Sequence, residues 1–405
     1  YNDRNKPVAY HWNGERYADV GGLDRNVSTI ALGISGDGAA LVGISLDPYQ
    51  RTRAFRWTET DGIQDLGTLR ADGSGNAWAF DASGDGTVVV GMSYSDELDN
   101  ERAFAWIDGA TGGQSQDGQM FMLEPFPGAD RSGAHAVSAD GNYAAGYSEV
   151  EDDVPIREAM RWDIGGLAEG GGASITYLGT LGGDRSEATD ISDDGMVVVG
   201  SSELAGGDVV HAFRWVEDEQ MYDLGVLEGH LNSSATAVSG DGNVVVGASY
   251  DVDGREWAFR WDEAGGMIPV EDWLAANDVV VGGMRLAVNR DGFVIAGMME
   301  DEDGNERAYI ARVTPPDPDP DPEPNPDPNP NPNPNPNPDP NPGSGLMDVE
   351  EYHRALFSTA QVAHSGEFLT WLPMNGAHHR PLMAQGQIGK NGCVWATGDL
   401  GFHAG

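Results

Sequence analysis

Ser239-Gly240-Asp241-Gly242-Asn243-Val244-Val245-Val246-Gly247, followed by Ala258-Phe259-Arg260-Trp261, is the stretch that decides the fold of this 405-residue chain. Asp-Gly between two apolar segments indicates a hairpin turn, because glycine reaches positive φ without a Cβ clash and Asp can bond its own backbone. The valine run predicts a short strand buried on both faces. In the second segment, strand alternation places Phe and Trp on one face and Ala and Arg on the other.

The same elements recur along the chain at a spacing of about fifty residues. The Ser-x-Asp-Gly turn occurs six times, the last time loosely, with its aspartate at Asp37, Asp85, Asp140, Asp194, Asp241 and Asp291. The aromatic segment begins as Ala9-Tyr10-His11-Trp12 and ends as a degenerate Ala308-Tyr309-Ile310-Ala311. A third element, Asp65-Leu66-Gly67-Thr68-Leu69, also returns. Each unit therefore predicts four strands: one before the turn, the valine strand, the Phe/Trp strand and the Asp-Leu-Gly strand.

Four antiparallel strands per repeat predict an all-β fold, a β-propeller of four-stranded blades. Six turns favour six blades over seven, and a stacked β-solenoid is the alternative architecture. Residues 1–23 hold the last two strands of a unit and residues 285–313 the first three. We expect these ends to pair, which would close the ring and remove exposed sheet edges. Deletion of residues 1–23 should then lower the melting temperature.

Charge and cysteine content exclude several classes of protein. Asp and Glu number 66 against 23 Lys and Arg, a formal net charge of -43. Nucleic-acid binding needs a basic surface, and anionic membranes attract basic segments, so both partners are disfavoured. Cys393 is the one cysteine, which rules out an intramolecular disulfide. No apolar run approaches the ~18 residues of a membrane-spanning helix.

The chain divides into three regions. Residues 1–313 hold the repeats, and residues 314–345 are a linker in which proline alternates with Asp, Asn or Glu. Proline fixes φ and removes the N–H donor, so the linker should be an extended polyproline II spacer reaching roughly 90 Å. Residues 346–405 differ in composition: apolar positions at helical spacing predict a helix over 346–363, and strand-like segments follow.

The combined repeat motifs resemble the HAF family of extracellular repeats. His211-Ala212-Phe213 contains the triplet that names the family, and the resemblance covers about residues 9–313. It implies export but no defined activity. Residues 346–405 resemble the opening of an autotransporter translocator, a helix followed by the first strand of an outer-membrane barrel. A barrel needs at least eight strands, so this region would be truncated. The two resemblances together imply that residues 1–313 are a passenger domain at the bacterial cell surface.

No residue is predicted to be catalytic, cofactor-binding or metal-ligating. His378, His379, Asp399 and His403 could suggest a metal, but adjacent histidines in a strand point to opposite faces. The acidic stretches 96–101, 149–153, 251–254 and 300–304 could suggest calcium, which would be the only cofactor of the chain. They lack the full ligand loop, which favours solvated hairpin tips. Six copies of one turn indicate architecture, because an active site is normally built once.

These observations leave three functions open. The first is a non-enzymatic binding or adhesion module that contacts a glycan or protein and is secreted or held at the outer membrane through its C-terminal region. The second is a structural subunit of an extracellular filament or matrix that self-associates through the Pro-rich segment. The third is a propeller hydrolase acting on glycans, which a unique cluster of Asp, Glu, Arg and Tyr at one channel mouth would favour.

Overall fold

A computed structural model describes most of the repeat region. The predicted linker over 314–345 and the predicted helix and strands in 346–405 lie outside the described residues. Between residues 285 and 312 the backbone strands are described without their side chains. The described ranges are 8–12, 16–24, 27–96, 100–109, 118–150, 156–207, 209–217, 219–277, 285–288, 294–300 and 306–313.

Within these ranges most residues lie in β-strands and very few in helices. In chain order the strands are β1 (Tyr10–Trp12) and β2 (Tyr17–Asp19); β3 (Thr29–Ile34), β4 (Ala40–Leu46), β5 (Thr52–Thr58) and β6 (Gly62–Asp65); β7 (Ala77–Ala82), β8 (Val88–Tyr94), β9 (Glu101–Ile107) and β10 (Gln119–Met122); β11 (Arg131–Val137), β12 (Tyr143–Val150), β13 (Ile156–Asp163) and β14 (Ser174–Gly179); β15 (Gly182–Ile191), β16 (Val197–Leu204), β17 (Val210–Val216) and β18 (Met221–Asp223); β19 (His230–Val238), β20 (Val244–Asp251), β21 (Glu256–Asp262) and β22 (Gly266–Pro269); and β23 (Arg285–Val288), β24 (Val294–Glu300) and β25 (Glu306–Arg312).

Two short helical segments accompany the strands: a 3-10 helix, Leu167–Glu169, and α1, Val270–Ala276, which the repeat pattern did not predict. No helix in the described part of the chain has the length and apolar run needed to cross a membrane.

The repeats form successive antiparallel sheets, which we number blades 1 to 6 from β3 onward. Blades 1 to 5 each contain four strands in chain order, and blade 6 is described with three, β23 to β25. The first strand of each blade contacts the first strand of the blade before it and also that blade's second and third strands. First strands are therefore innermost, and the chain runs outward through each blade before returning to the centre. This is the β-propeller arrangement; a solenoid would instead pair successive coils in parallel.

The two ends of the repeat region do not pair with each other in the described strands. β1 and β2 form a separate two-stranded sheet, and β23 to β25 form another. The predicted joint sheet is therefore absent from this structure.

The Ser-x-Asp-Gly turn is held by one set of hydrogen bonds in each of blades 1 to 5. In blade 5, Ser239 Oγ donates to Asp241 Oδ1 at 2.6 Å and accepts the Val244 N–H at 2.9 Å. The same Asp241 oxygen accepts the Asn243 N–H at 3.0 Å, and Gly242 has a φ of 73°. Burial opposes ionisation of Asp241, but these hydrogen bonds outweigh it and lower its pKa. The predicted hairpin role of the turn is confirmed.

A glycine in the middle of the second strand of each of blades 1 to 5 is required by a bulge in the neighbouring first strand. In blade 5 the register shifts between Ala235 and Ala237, which brings the Ser234 carbonyl over Gly247. A Cβ on Gly247 would lie 2.1 Å from that oxygen, far inside van der Waals contact. Equivalent approaches of 1.9 to 2.1 Å occur in the other four blades, at Gly43, Gly91, Gly146 and Gly200. The repeat pattern alone did not predict this role for the glycine.

The predicted alternation of the aromatic strand is confirmed by the packing of β5. Ala54 packs toward blade 2 with Phe104, whereas Phe55 and Trp57 pack toward the N-terminal hairpin with Val20. Each blade interface therefore buries one alanine face against one aromatic face. In blades 1 and 4 the fourth strand ends at the aspartate of Asp-Leu-Gly, Asp65 or Asp223, so the Leu-Gly that follows lies outside the strand.

Candidate binding face

The two ends of the blades differ in how strongly they repeat. The turn face carries the Ser-x-Asp-Gly turns. The variable face lies at the opposite ends of the strands, where first strands begin, second strands end and third strands begin. A repeated contact serves the architecture, so a functional site should be found where the blades depart from one another.

The turn face is tied together by a backbone ladder that runs from blade to blade. The Gly84 N–H donates to the Ala139 carbonyl at 2.8 Å, the Ala139 N–H to Asp193 at 3.0 Å, and the Asp193 N–H to Gly240 at 2.9 Å. The Asp37 N–H extends the ladder to blade 1 through the Gly84 carbonyl at 2.9 Å. Neighbouring turns are thus one strand spacing apart. A closed ring of six or seven would have a backbone radius of roughly 5–6 Å, too narrow to admit a ligand.

Arginines of the aromatic strands reinforce the same face. Arg56 Nε donates to the Gly86 carbonyl of the next blade at 2.7 Å, and its guanidinium lies 5.9 Å from the Trp106 ring. Arg161 and Arg214 make the equivalent bonds to Gly195 and Gly242, at 2.7 and 3.0 Å. We call Arg56, Arg161 and Arg214 the bridging arginines. Their contacts show that the Arg and Trp of the repeat hold neighbouring blades together. Blade 2 has Ala105 at this position.

The variable face concentrates charge between blades 3 and 4. Arg157 Nη2 donates to Glu149 Oε2 at 2.9 Å, while Arg157 Nη1 donates to Glu187 of the next blade. Arg185 Nη2 lies 3.3 Å from Glu149 Oε1. The guanidinium of Arg157 also lies 4.3 Å from the Tyr147 ring centroid, a cation–π distance. This is a balanced cluster of two carboxylates, two guanidiniums and one phenol.

Burial and charge shift the ionisation of this cluster. Burial, followed by the charge of Glu187, raises the pKa of Tyr147 to about 12, although Arg157 opposes the shift. Burial also lowers the pKa of His135, so its ring is neutral near pH 7. His135 Nδ1 lies 3.0 Å from the Ala188 carbonyl and must donate to it. The cluster is therefore anchored beneath by a neutral histidine that joins blades 3 and 4.

A second group extends the cluster into blade 2. The Trp78 and Tyr94 rings lie 6.3 Å apart, and Arg131 Nε is 3.1 Å from Glu101 Oε2. Burial, followed by the charge of Glu101, raises the pKa of Tyr94. Arg131 stands opposite Glu149 in the register of β11 and β12, which places the two groups side by side. We call them together the blade 2–4 patch: Trp78, Tyr94, Glu101, Arg131, Tyr147, Glu149, Arg157, Arg185 and Glu187.

The patch is specific to its blades. The register position of Tyr147 is occupied in other blades by Ile44, Met92, Ser201 and Ala248. Gly133 stands opposite Tyr147, and a Cβ there would lie 2.9 Å from the phenol ring. The tyrosine is accommodated because this first strand has no side chain at that point. The patch is not evident in the sequence because its members are far apart in the chain; aligning the repeat units by strand register brings them to neighbouring positions.

Only some of the residues considered as metal ligands from the sequence are described by the structure. His378, His379, Asp399 and His403, like the 301–304 stretch, lie outside the described residues. Asp251 Oδ1 accepts the N–H groups of Asp253 and Arg255 at 2.8 and 2.9 Å, so this carboxylate stabilises its own turn. Across the described ranges, no three His, Cys, Asp or Glu side chains are placed to hold a metal ion.

No protein-family model and no curated protein matches the chain. Among solved structures, it is similar to TolB from Acinetobacter baumannii, with 10% identity, a TM-score of 0.38, and coverage of 69% of this chain and 62% of that one. It is also similar to a putative TolB from Agrobacterium tumefaciens, with 18% identity, a TM-score of 0.41, and coverage of 74% and 94%.

A third similar structure is the β-propeller domain of the Trilobed protease from Pyrococcus furiosus, with 11% identity, a TM-score of 0.37, and coverage of 67% and 78%. The chain spans less than two thirds of the Acinetobacter protein. The propeller assignment therefore depends on the strand order described above.

Proposed function

We propose that this chain is a non-catalytic binding module displayed outside a bacterial cell, and that its ligand, a glycan or a protein, docks on the blade 2–4 patch. The observation that carries the proposal is the contrast between the two faces. The turn face repeats the same contacts from blade to blade, whereas the variable face joins aromatic, guanidinium and carboxylate groups of blades 2 to 4 around Tyr147, which has no aromatic counterpart at its register position in blades 1, 2, 4 and 5.

The chemistry of the patch suits recognition. Tyr, Trp and Arg are the residues most enriched where binding energy concentrates at interfaces. Aromatic side chains offer a large contact area at small entropic cost, and guanidinium groups offer directed donors. Trp78 and Tyr94 are partly exposed, while Arg157 and Glu149 hold the neighbouring surface in one conformation. A ligand would therefore meet a preorganised surface, which reduces the entropic cost of binding.

The surface location is supported by the sequence resemblances and by charge. The repeats resemble extracellular HAF-type repeats, and the 346–405 region resembles the start of an autotransporter translocator. A net charge of -43 keeps an exposed domain soluble and discourages self-association. On this basis the module acts in adhesion, with residues 1–313 as the passenger and residues 314–345 as the spacer.

The test is a binding screen of the full chain on printed glycans and immobilised extracellular-matrix proteins, followed by Trp78→Ala and Tyr94→Ala. Each substitution should weaken binding at least about tenfold, equivalent to ~1.4 kcal/mol. Tyr222→Ala is the matched control. Tyr222 is 48% exposed but lies on the outer strand of blade 4, outside the blade 2–4 patch, so this variant should bind like the wild type. Equal losses in all three variants, or no binding by the wild type, would contradict the proposal.

A hydrolase is the second candidate, because Glu149 and Glu187 form a carboxylate pair on one face. Arg157 donates to both carboxylates, so each is already engaged as an acceptor. A glycosidase needs one carboxyl that can hold a proton for the leaving group. Incubating the full chain with the glycans it binds, and analysing the products by mass spectrometry, separates the candidates: cleavage that Glu187→Gln abolishes would replace binding with hydrolysis.

A further inference from the structure

The N-terminal hairpin β1–β2 contacts blade 1 as the outer half of any blade contacts the next one. Within the hairpin, the Val20 N–H donates to the Ala9 carbonyl at 3.1 Å. In blade 1 the Leu66 N–H donates to the Ala54 carbonyl at 3.0 Å. The hairpin therefore has the register of a third and a fourth strand, with Ala9 at the position of Ala54.

Its contacts with blade 1 repeat those of the bridging arginines. His11 Nε2 lies 2.9 Å from the Gly38 carbonyl, to which it must donate, and the His11 ring lies 5.2 Å from Trp57. Arg56 makes both contacts with the turn glycine and tryptophan of blade 2. His11 thus stands in for a bridging arginine.

A backbone bond completes the equivalence. The Leu23 N–H donates to Ser45 Oγ at 3.2 Å, as the Leu69 N–H does to Ser93 Oγ at 3.0 Å one blade later. The hairpin consequently occupies the outer half of the blade position that precedes blade 1. In blades 1 to 5 the third strand is paired on both sides, whereas β1 is paired with β2 alone among the described strands.

Blade 6, in contrast, lacks a fourth strand among the described residues. Its β25 is in the third-strand register, since Gly297 pairs with Tyr309 as Gly43 pairs with Phe55. Ile310 then stands where other blades have the bridging arginine, and an isoleucine cannot donate a hydrogen bond. Beyond residue 313 the sequence becomes the Pro-rich tract, whose alternate residues lack an N–H donor and which is predicted to favour polyproline II over a fourth strand.

We propose that β1 and β25 are alternative third strands of one blade, and that the ring closes when the hairpin β1–β2 takes the place of β25 beside β24. The blade would then read β23–β24–β1–β2, with Ala9 opposite Met298. Closure keeps the His11 donor on the Gly38 turn, covers the open edge of β1, and gives the blade the fourth strand that β23 to β25 lack. It also releases residues 306–313 to lengthen the linker.

Disulfide trapping in the full chain carrying Cys393→Ser tests the exchange. Paired strand residues lie within disulfide range, so Ala9→Cys with Met298→Cys should cross-link within one molecule under mild oxidation. The pair Ala308→Cys with Met298→Cys reports the arrangement with β25 in place and should cross-link less. Ala9→Cys with Met299→Cys is the register control, because neighbouring side chains point to opposite faces, and it should stay reduced.

The proposal is overturned if the 9–298 pair stays reduced while the 308–298 pair cross-links, or if the 9–298 pair yields only dimers. Two deletions cover the case in which a cysteine variant does not fold. Removing residues 1–23 should lower the melting temperature more than removing residues 306–312, because the hairpin supplies two strands to the closed blade. An equal or reversed ranking would also overturn the exchange.

Discussion

Replacing Asp190 by asparagine should change how the stability of the propeller depends on pH. Asp190 is buried on the first strand of blade 4, where Oδ2 accepts the Val238 N–H and Oδ1 accepts the Ile191 N–H, both at 2.8 Å. Burial is the main cause that raises its pKa from 3.8 to about 8, and the charges of Asp81 and Asp193 add to the effect. The folded protein therefore holds a proton on Asp190 that the unfolded chain releases near pH 4.

The sign and size of the effect follow from proton linkage. Between about pH 4 and pH 8 the folded state binds more protons at this site than the unfolded state, so the free energy of unfolding falls as pH rises. At 1.36 kcal/mol per pKa unit, the loss from pH 5 to pH 8 is about 4 kcal/mol. Asp190→Asn removes this slope. At pH 5 the variant should be about 1 kcal/mol less stable, because its amide NH2 faces a backbone N–H. At pH 8 it should be about 3 kcal/mol more stable.

The assay is urea unfolding of the full chain, followed by tryptophan fluorescence, across this pH range. Burial lowers the pKa of His135, which gives an opposite slope below its ordinary value of 6.5, but that slope is common to both proteins and cancels in their difference. Asp253→Asn is the control, since Asp253 is 69% exposed and its variant should follow the wild-type profile. Parallel profiles for the wild type and Asp190→Asn would show that Asp190 is charged in the folded protein, and the reasoning would fail.

Two further predictions concern the repeat itself. Gly200→Ala should destabilise by about 3 kcal/mol, because its Cβ would lie 2.0 Å from the Glu187 carbonyl, whereas Gly172→Ala, with nothing within 4 Å, should be near neutral in thermal melts. Arg161→Met should cost about 2–4 kcal/mol, because it removes a buried donor to a turn carbonyl; Arg255→Met, at an exposed pair, should cost less than about 1 kcal/mol. Urea midpoints measured side by side decide the second comparison, and equal losses for the two arginines would refute it.

The strands were predictable because their signals are local. Asp-Gly between valines forces a hairpin, and the alternation of Phe259 and Trp261 fixes which face carries the aromatic side chains, with no information from outside the unit. The same holds for the all-β class. The bulge opposite Gly247 could not be predicted, because it is a property of two strands in register rather than of either one alone.

The patch on the variable face lay beyond sequence reasoning for a related reason. Arg157 lies on the third strand of blade 3 and Glu187 on the first strand of blade 4, so their meeting depends on the packing of two blades. The high acidic content also makes these residues hard to identify in the sequence, because no single carboxylate is distinctive among 66 Asp and Glu residues. Only an alignment of the blades by strand register shows that the residues at these positions differ from those in the other blades.

The buried aspartates are a second difference between the repeat units, this time in the interior of the propeller. Two residues before the turn serine, blades 2 and 4 carry Asp81 and Asp190, while blades 1, 3 and 5 carry glycine or alanine. Each aspartate accepts a backbone N–H from the following blade, Val137 or Val238. The next blade has alanine at the matching position, so the carboxylate meets no competing side chain there. Aspartates on adjacent first strands would place two carboxylates in one low-dielectric interface, at a large desolvation cost. Alternation avoids this cost, and it means that substituting Asp into blade 3 should be far more damaging than removing either aspartate.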